Sequence, residues 1–141
     1  MNINLGIAPI AWSNDDMPEL GGDTPIETCL YEAKKVGFSG IELGGKFPRN
    51  PRITNYLLKE FKLKMPGGWY GSLLRKRSIN EEWAAMQDQL NLLKIVKGDI
   101  FVFSDVSDSI QSDGSRSLTS RPTLEKEEWN NYCEKISEIS N

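Results

Sequence analysis

The apolar and polar positions of this chain fall into four repeats of one pattern, a short β-type run followed by an amphipathic helical stretch. The first strand candidate is Asn2 to Ile10. A helix is predicted from Thr24 as cap, with Pro25 at the first helical position and Glu27 three residues after the cap. That is the capping-box spacing, and the proline presets φ for a helix. Ile26, Cys29, Leu30, Ala33 and Val36 follow at helical spacing, and Gly37 supplies the stop. The second unit starts at Phe38 and runs through Ile41, Glu42 and Leu43 to Gly44 and Gly45. Its helix opens at Asn50-Pro51 and carries Ile53, Tyr56, Leu57 and Phe61.

The third strand is expected from Leu63 toward Pro66, with Gly67, Gly68, Trp69 and Tyr70 after it. A helix then begins near Ser78 or Asn80. Glu81 and Glu82 lie in its first turn, where negative charge suits the helix dipole, and Trp83, Met86, Leu90 and Leu93 form its stripe. Ile100 to Phe103 reads as the clearest buried strand of the chain. A long polar loop separates it from a last helix beginning around Thr123, with Trp129, Tyr132, Cys133, Ile136 and Ile139 on one face.

The links are asymmetric. Those from helix to strand are terse, whereas those from strand to helix cover 11–23, 44–49, 67–77 and 104–122. In parallel α/β folds the loops after the strands gather at one end, and function lives there. Four βα units make half of an eight-unit barrel. A doubly wound sheet is the rival, but Gly21-Gly22 stands well away from the first strand and no G-x-G-x-x-G occurs.

At 141 residues, the length suits one domain with a real core. Seventeen basic against twenty acidic residues give a net charge of -3, so no strong basic field marks a nucleic-acid partner. There is no histidine, which excludes a Ser-His-Asp or Cys-His system built from this chain alone. A metal site of carboxylates and amides would favour Mg, Ca or Mn. Cys29 and Cys133 make no disulfide framework, and both are expected as small buried side chains. No apolar run approaches the roughly 18 residues of a membrane span, and the chain reads as a soluble cytoplasmic protein without membrane contact.

The candidate chemistry sits near the strand ends. In the loop Ala11 to Asp16, Asn14 and Asp15 offer an amide and a carboxylate to a polyol, with Trp12 as an apolar wall. Asn and Asp are equally ordinary turn formers. Glu42, between Ile41 and Leu43, is expensive to bury without a partner or a role. Gly44-Gly45 and Gly67-Gly68 allow tight turns or a close ligand approach. Trp69 and Tyr70 can stack on a ring and meet a hydroxyl, or simply fill a barrel mouth. Lys46, Arg49, Arg52, Arg75, Lys76 and Arg77 read as a solvated rim rather than an anion site. Asp105 ends the strongest strand and is a candidate ligand-facing group.

Together these segments resemble a known family. The run Gly6 to Asp16 resembles the opening of the myo-inosose-2 dehydratases. The similarity continues through Leu20 to Pro25, Glu42-Leu43-Gly44, Lys46 to Arg49 and Gly68-Trp69-Tyr70, and resumes at Asp108 to Gln111 and Arg121-Pro122. The resemblance implies the first four βα units of a xylose-isomerase-like TIM (β/α)8 barrel, with residues 1–141 as its N-terminal half. It implies a hydro-lyase of inositol catabolism, converting a keto-inositol to a trihydroxycyclohexane dione. It also implies a divalent metal, Mn or Co, which would polarise the ketone.

Family members are about twice as long, and their metal-binding carboxylates and histidine lie on later strands. The missing histidine then reads as a consequence of truncation, and the chain alone is expected to be inactive. Trp12, Asn14, Asp15, Glu42, Trp69 and Asp105 remain as the implied substrate side of the pocket. Asp105 stands where the family commonly has Glu. The implied partner is a small polyol or keto-inositol. A sugar epimerase or isomerase of the same superfamily is the alternative enzyme. A non-catalytic half-barrel that associates with itself or with a second half is the alternative of another class, since exposed sheet edges and an open interior invite association.

Overall fold

The computed structural model of the chain describes residues 3–111 and 113–140. It runs β1 (Gly6–Ile7), α1 (Ile26–Val36), β2 (Gly40–Ile41), α2 (Pro51–Glu60), β3 (Gly67–Ser72), α3 (Ile79–Val96), β4 (Ile100–Asp105) and α4 (Lys126–Ile139), with short 3-10 turns at Pro9–Ala11 and Leu118–Ser120. The protein is thus mixed α/β, with helices alternating with short strands. Two compact units form: Met1–Tyr70 with Asp88–Val102, and Gly71–Gln87 with Phe103–Asn141.

In the first unit β1 lies parallel to β2, Gly6 opposite Gly40 and Ile7 opposite Ile41. Parallel bridges Gly40–Lys64 and Leu43–Gly68 carry the pairing on to the third strand segment. The Pro66 carbonyl accepts from the amides of Asp99 and Ile100, which brings β4 beside β3. Neighbours in sequence are therefore neighbours in the sheet. Strand alternation sorts the side chains: Ile41 and Leu43 are buried, and Glu42 between them points to the other face.

The core of this unit gathers Cys29, Leu30 and Ala33 of α1, Leu57 and Leu58 of α2, Leu92 and Leu93 of α3, and Ile41, Leu43, Phe47, Leu63 and Met65. Full burial of a side chain such as Leu30 contributes roughly 1.5–3 kcal/mol. β4 is not the buried strand its composition suggests. Ile100 and Val102 are 56% and 41% exposed, while Phe101 packs on the core, so one sheet face is covered and the other is bare.

Local signals were partly decisive. Asn50 caps α2 as its sequence predicts, its side chain accepting from the amides of Arg52 and Ile53 at 2.9 and 3.4 Å. The expected Thr24–Glu27 capping box does not form. The Thr24 amide is held by the Gly21 carbonyl, so Pro25 takes the cap position and α1 starts one residue later than predicted. β1 is shorter than expected because Pro9, without an amide hydrogen, opens a 3-10 turn. Of the longer run, Asn2 lies outside the described residues. β3 begins where the glycine pair was expected to form a loop. Gly67 and Gly68 are strand residues whose missing side chains let the backbone approach Ile100 and Leu43. In α2, Ile53 and Tyr56 are exposed, and the buried positions are Thr54, Leu57 and Leu58.

In the second unit, Ser78 and Glu81 cap the start of α3 reciprocally. The Glu81 carboxylate accepts from the Ser78 amide at 2.8 Å and its hydroxyl at 2.7 Å, and Ser78 Oγ accepts from the Glu81 amide at 3.3 Å. These bonds hold the Glu81 carboxyl below its ordinary pKa. Trp83, expected on the apolar stripe, is half exposed, whereas Met86 is buried. α4 starts three residues after Thr123 with a Glu125–Glu128 capping box and has no buried residue among those described. Cys133 is accordingly exposed, against expectation, while Cys29 is buried and its thiol pKa is pushed up by desolvation.

Candidate functional site

The first loop packs tightly before it presents anything to a ligand. Gly21, at φ +75°, places its backbone against the Trp12 carbonyl, where a Cβ would collide. The Trp12 indole N–H donates to Glu32 at 2.6 Å, and its ring packs on the core. Asn14 is a turn former here, its Oδ1 accepting from the amides of Asp16 and Met17. Asp15 reaches across to the second strand–helix loop and accepts from the Gly45 amide at 2.8 Å.

Ser13, Asn14, Asp15, Pro18, Gly22, Gly45, Lys46 and Arg49 line a hollow of about 430 Å³. Lys46 Nζ donates to the Gly22 carbonyl at 2.9 Å. The Ser13 hydroxyl is buried and has no hydrogen-bond partner, a condition that costs about 1–3 kcal/mol. Ser13 belongs to the loop singled out in the sequence, but nothing in the sequence distinguishes it. Its burial follows from the backbone bond of its amide to Pro9, which turns the chain inward.

Glu42 lines a second hollow of the same unit, about 330 Å³, with Gly6, Ile7, Ala8, Pro66, Gly67, Gly68, Ile100 and Val102. Among the described residues its carboxylate has no hydrogen-bond or ion-pair partner. An acid placed amid apolar lining on the bare face of the sheet is available to a hydroxyl or a cation. Trp69, half exposed, lines neither hollow, and its carbonyl accepts from the Gln89 side chain at 3.0 Å. Tyr70 packs against Phe101 with ring centroids 5.2 Å apart.

Asp105 lies in the second unit and is heavily engaged. It accepts from the Arg75 amide at 3.3 Å and from the amide and hydroxyl of Ser107 at 3.1 and 3.0 Å. The Arg75 guanidinium stands 3.8 Å from Asp105, 2.9 Å from Asp108 and 3.9 Å from Glu128. Asp105 and Arg75 line a hollow of about 500 Å³ with Asp108, Gln111, Arg116 and Arg121 among others. Arg75 and Arg77 are therefore ion-paired, not a free solvated rim. Arg77 pairs at 3.2 Å with Glu82, a fully buried carboxylate that the sequence suggested only as a partner of the helix dipole. Lys135 of α4 donates to the carbonyls of Leu74 and Arg77, tying the same turn from its other side.

Asp108 is held below the ordinary carboxyl pKa, first by its hydrogen bond from Lys76 and further by the charges of Lys76 and Arg75. A lowered carboxyl pKa stabilises the folded state above the unfolded value, and that gain is lost as pH falls through the folded one. Asp108→Asn should therefore flatten the acid limb of a thermal-midpoint profile, starting from about pH 4 and below, and change little near pH 7 in high salt. Equal acid limbs in the two proteins would contradict this.

Among the described residues no group of three or more His, Cys, Asp or Glu could hold a metal ion. The described residues therefore do not fit the implied Mn or Co. No helix among them is long and apolar enough to cross a membrane.

Short parallel strands in sequential order, alternating with helices and carrying polar residues in the loops after the strands, define an α/β chain of the βα-repeat class. No family model matches the chain. Individual relatives do. It is 39% identical to the rhizopine catabolism protein MocC of Rhizobium meliloti over 99% of this chain and 43% of that protein. It is 31% identical to an inosose dehydratase of Clostridium perfringens, over 98% of this chain and 47% of the relative. With an inosose dehydratase of Geobacillus thermodenitrificans it shares 35% over 90% of this chain and 43% of the relative. The chain is a relative of the inosose dehydratases and MocC along nearly its whole length, and it spans less than half the length of these proteins.

Proposed function

We propose that this chain forms four consecutive βα units of a xylose-isomerase-like (β/α)8 barrel, the N-terminal half of that domain, and that it supplies the polyol-binding side of an inosose-dehydratase-like site. The sequential parallel strands and the kinship with proteins named inosose dehydratase support the reading. The observation that carries it is Glu42, an unpartnered carboxylate between Ala8, Pro66, Ile100 and Val102 on the sheet face away from the core. Such a surface offers an apolar floor to a ring face and one strong acceptor to a ring hydroxyl.

The reaction is loss of water from a keto-inositol. A proton leaves the carbon beside the ketone, the adjacent C–O bond breaks, and hydroxide departs with a proton as water, leaving an enol that becomes the dione. Glu42 would hold a hydroxyl or receive a proton in that sequence. Asn14 and Asp15, which line the first-loop hollow, would offer further polar groups to the polyol there, whereas Trp12 is held by Glu32 and Trp69 lines neither hollow of this unit.

The test is binding of 2-keto-myo-inositol to the 141-residue chain by calorimetry, in the native protein and in Glu42→Gln. A hydrogen bond to a charged group is worth roughly 1.5–3 kcal/mol, so affinity should fall about tenfold or more in the variant. Equal affinities would overturn the assignment of Glu42.

A further inference from the structure

The hollow beside the first loop is locally positive on a chain that is negative overall. Lys46 and Arg49 face it against one carboxylate, Asp15, whose Oδ2 is already engaged by the Gly45 amide. Lys46 spends one of its three donors on the Gly22 carbonyl, and that bond fixes the ammonium at the wall of the hollow. Arg49 is exposed and brings a planar fork of donors suited to an oxyanion.

Ser13 lines the same hollow, and its hydroxyl is the one buried side-chain polar atom among the described residues that lacks a partner. Two cationic donor groups and an orphaned hydroxyl donor around one cavity share a complement: a small anion with several acceptor oxygens.

We propose that Ser13, Lys46 and Arg49 form a binding site for a small oxyanion, in the form of a phosphate group. The site shares Asn14 and Asp15 with the polyol reading but not Glu42, which lines a different hollow, and a keto-inositol carries no charge for Lys46 and Arg49 to meet. The phosphate can be free in solution or an ester on a polyol, and both present the same oxygens to these three residues.

Amide spectra of the labelled full chain at pH 7, titrated with inorganic phosphate against sodium chloride of equal ionic strength, test the site. Phosphate should move the amides of Ser13, Lys46 and Arg49 saturably, and chloride should not. Arg49→Ala and Lys46→Ala should each weaken phosphate about tenfold, as loss of a charge-assisted bond does, whereas Lys59→Ala on the exposed side of α2 should leave it unchanged.

Ser13→Ala supplies a readout that loop damage would not mimic. Without phosphate its thermal midpoint should equal or exceed that of the native chain, because an unpaired buried hydroxyl has gone. Its stabilisation by phosphate should fall severalfold. Myo-inositol 1-phosphate binding more tightly than inorganic phosphate would assign the site to a phosphorylated polyol, and equal binding would assign it to the free anion. Shifts reproduced by chloride, or native phosphate affinity in Ser13→Ala and Arg49→Ala, would overturn the proposal. Loss of keto-inositol binding in Glu42→Gln with phosphate binding intact would leave it standing.

Discussion

Gly67→Ala is expected to destabilise the first unit by about 3 kcal/mol, the upper end of ordinary overpacking costs. A Cβ at Gly67 would collide with the Ile100 carbonyl oxygen and stand 2.7 Å from the Ile100 Cβ. Both obstacles belong to a neighbouring strand whose amide is bonded to Pro66, so the backbone cannot withdraw without losing sheet hydrogen bonds. A loss of that size is a large fraction of the 5–15 kcal/mol typical of a folded domain. Urea unfolding should show the midpoint falling with little change in slope. Gly114→Ala is the matched control, since a Cβ there meets nothing within 4 Å and should shift stability by no more than about 0.5 kcal/mol. Equal midpoints for the two variants would show that β3 and β4 do not approach as described.

The second large effect is expected at Glu82. Its carboxylate is fully buried, accepts from the Leu73 amide at 3.2 Å and pairs with Arg77 at 3.2 Å. Glu82→Ala removes both interactions, strands the Leu73 amide and opens a void, at a cost of about 3 kcal/mol. Arg77, about a third exposed, can turn to water, so the loss stays below that of a pair buried at both ends. Glu82→Gln keeps an acceptor for Leu73 and most of the volume, and should cost about half as much. Hydrogen exchange at Leu73 and Leu74 reads the effect locally: protection should fall strongly in Glu82→Ala and partly in Glu82→Gln. If Glu82→Ala kept native protection, the carboxylate would not be what holds the turn.

Much of the fold was legible in the sequence because its signals are local. The Asn50-Pro51 start and the acidic first turn after Ser78 each satisfy their own helix end whatever surrounds them. Alternation put Glu42 on the opposite face from Ile41 and Leu43 without any tertiary knowledge. What escaped depends on the neighbour an element meets. Trp83 and Trp129 repeat at helical spacing, yet both are half exposed because a periodic apolar residue is buried only where something covers it. Gly67 and Gly68 read as a loop from composition, since only the positions of Ile100 and Leu43 reveal why a strand needs them small. Ser13 and Glu82 escaped for the same reason. A hydroxyl or a carboxylate is unremarked in a polar string until the surrounding backbone removes it from water.

The sequential pairing of the strands also bears on how the chain acquires its structure. Gly6 meets Gly40, Gly40 meets Lys64, and Pro66 meets Ile100, so each new strand closes onto one made some two to three dozen residues earlier. Closure entropy grows only with the logarithm of loop length, and spans this similar differ in cost by less than about 0.6 kcal/mol. Among the described residues, no strand pairing of the first unit has to await a distant part of the polypeptide. The sheet can therefore assemble in the order of synthesis, each strand finding its template already outside the ribosome.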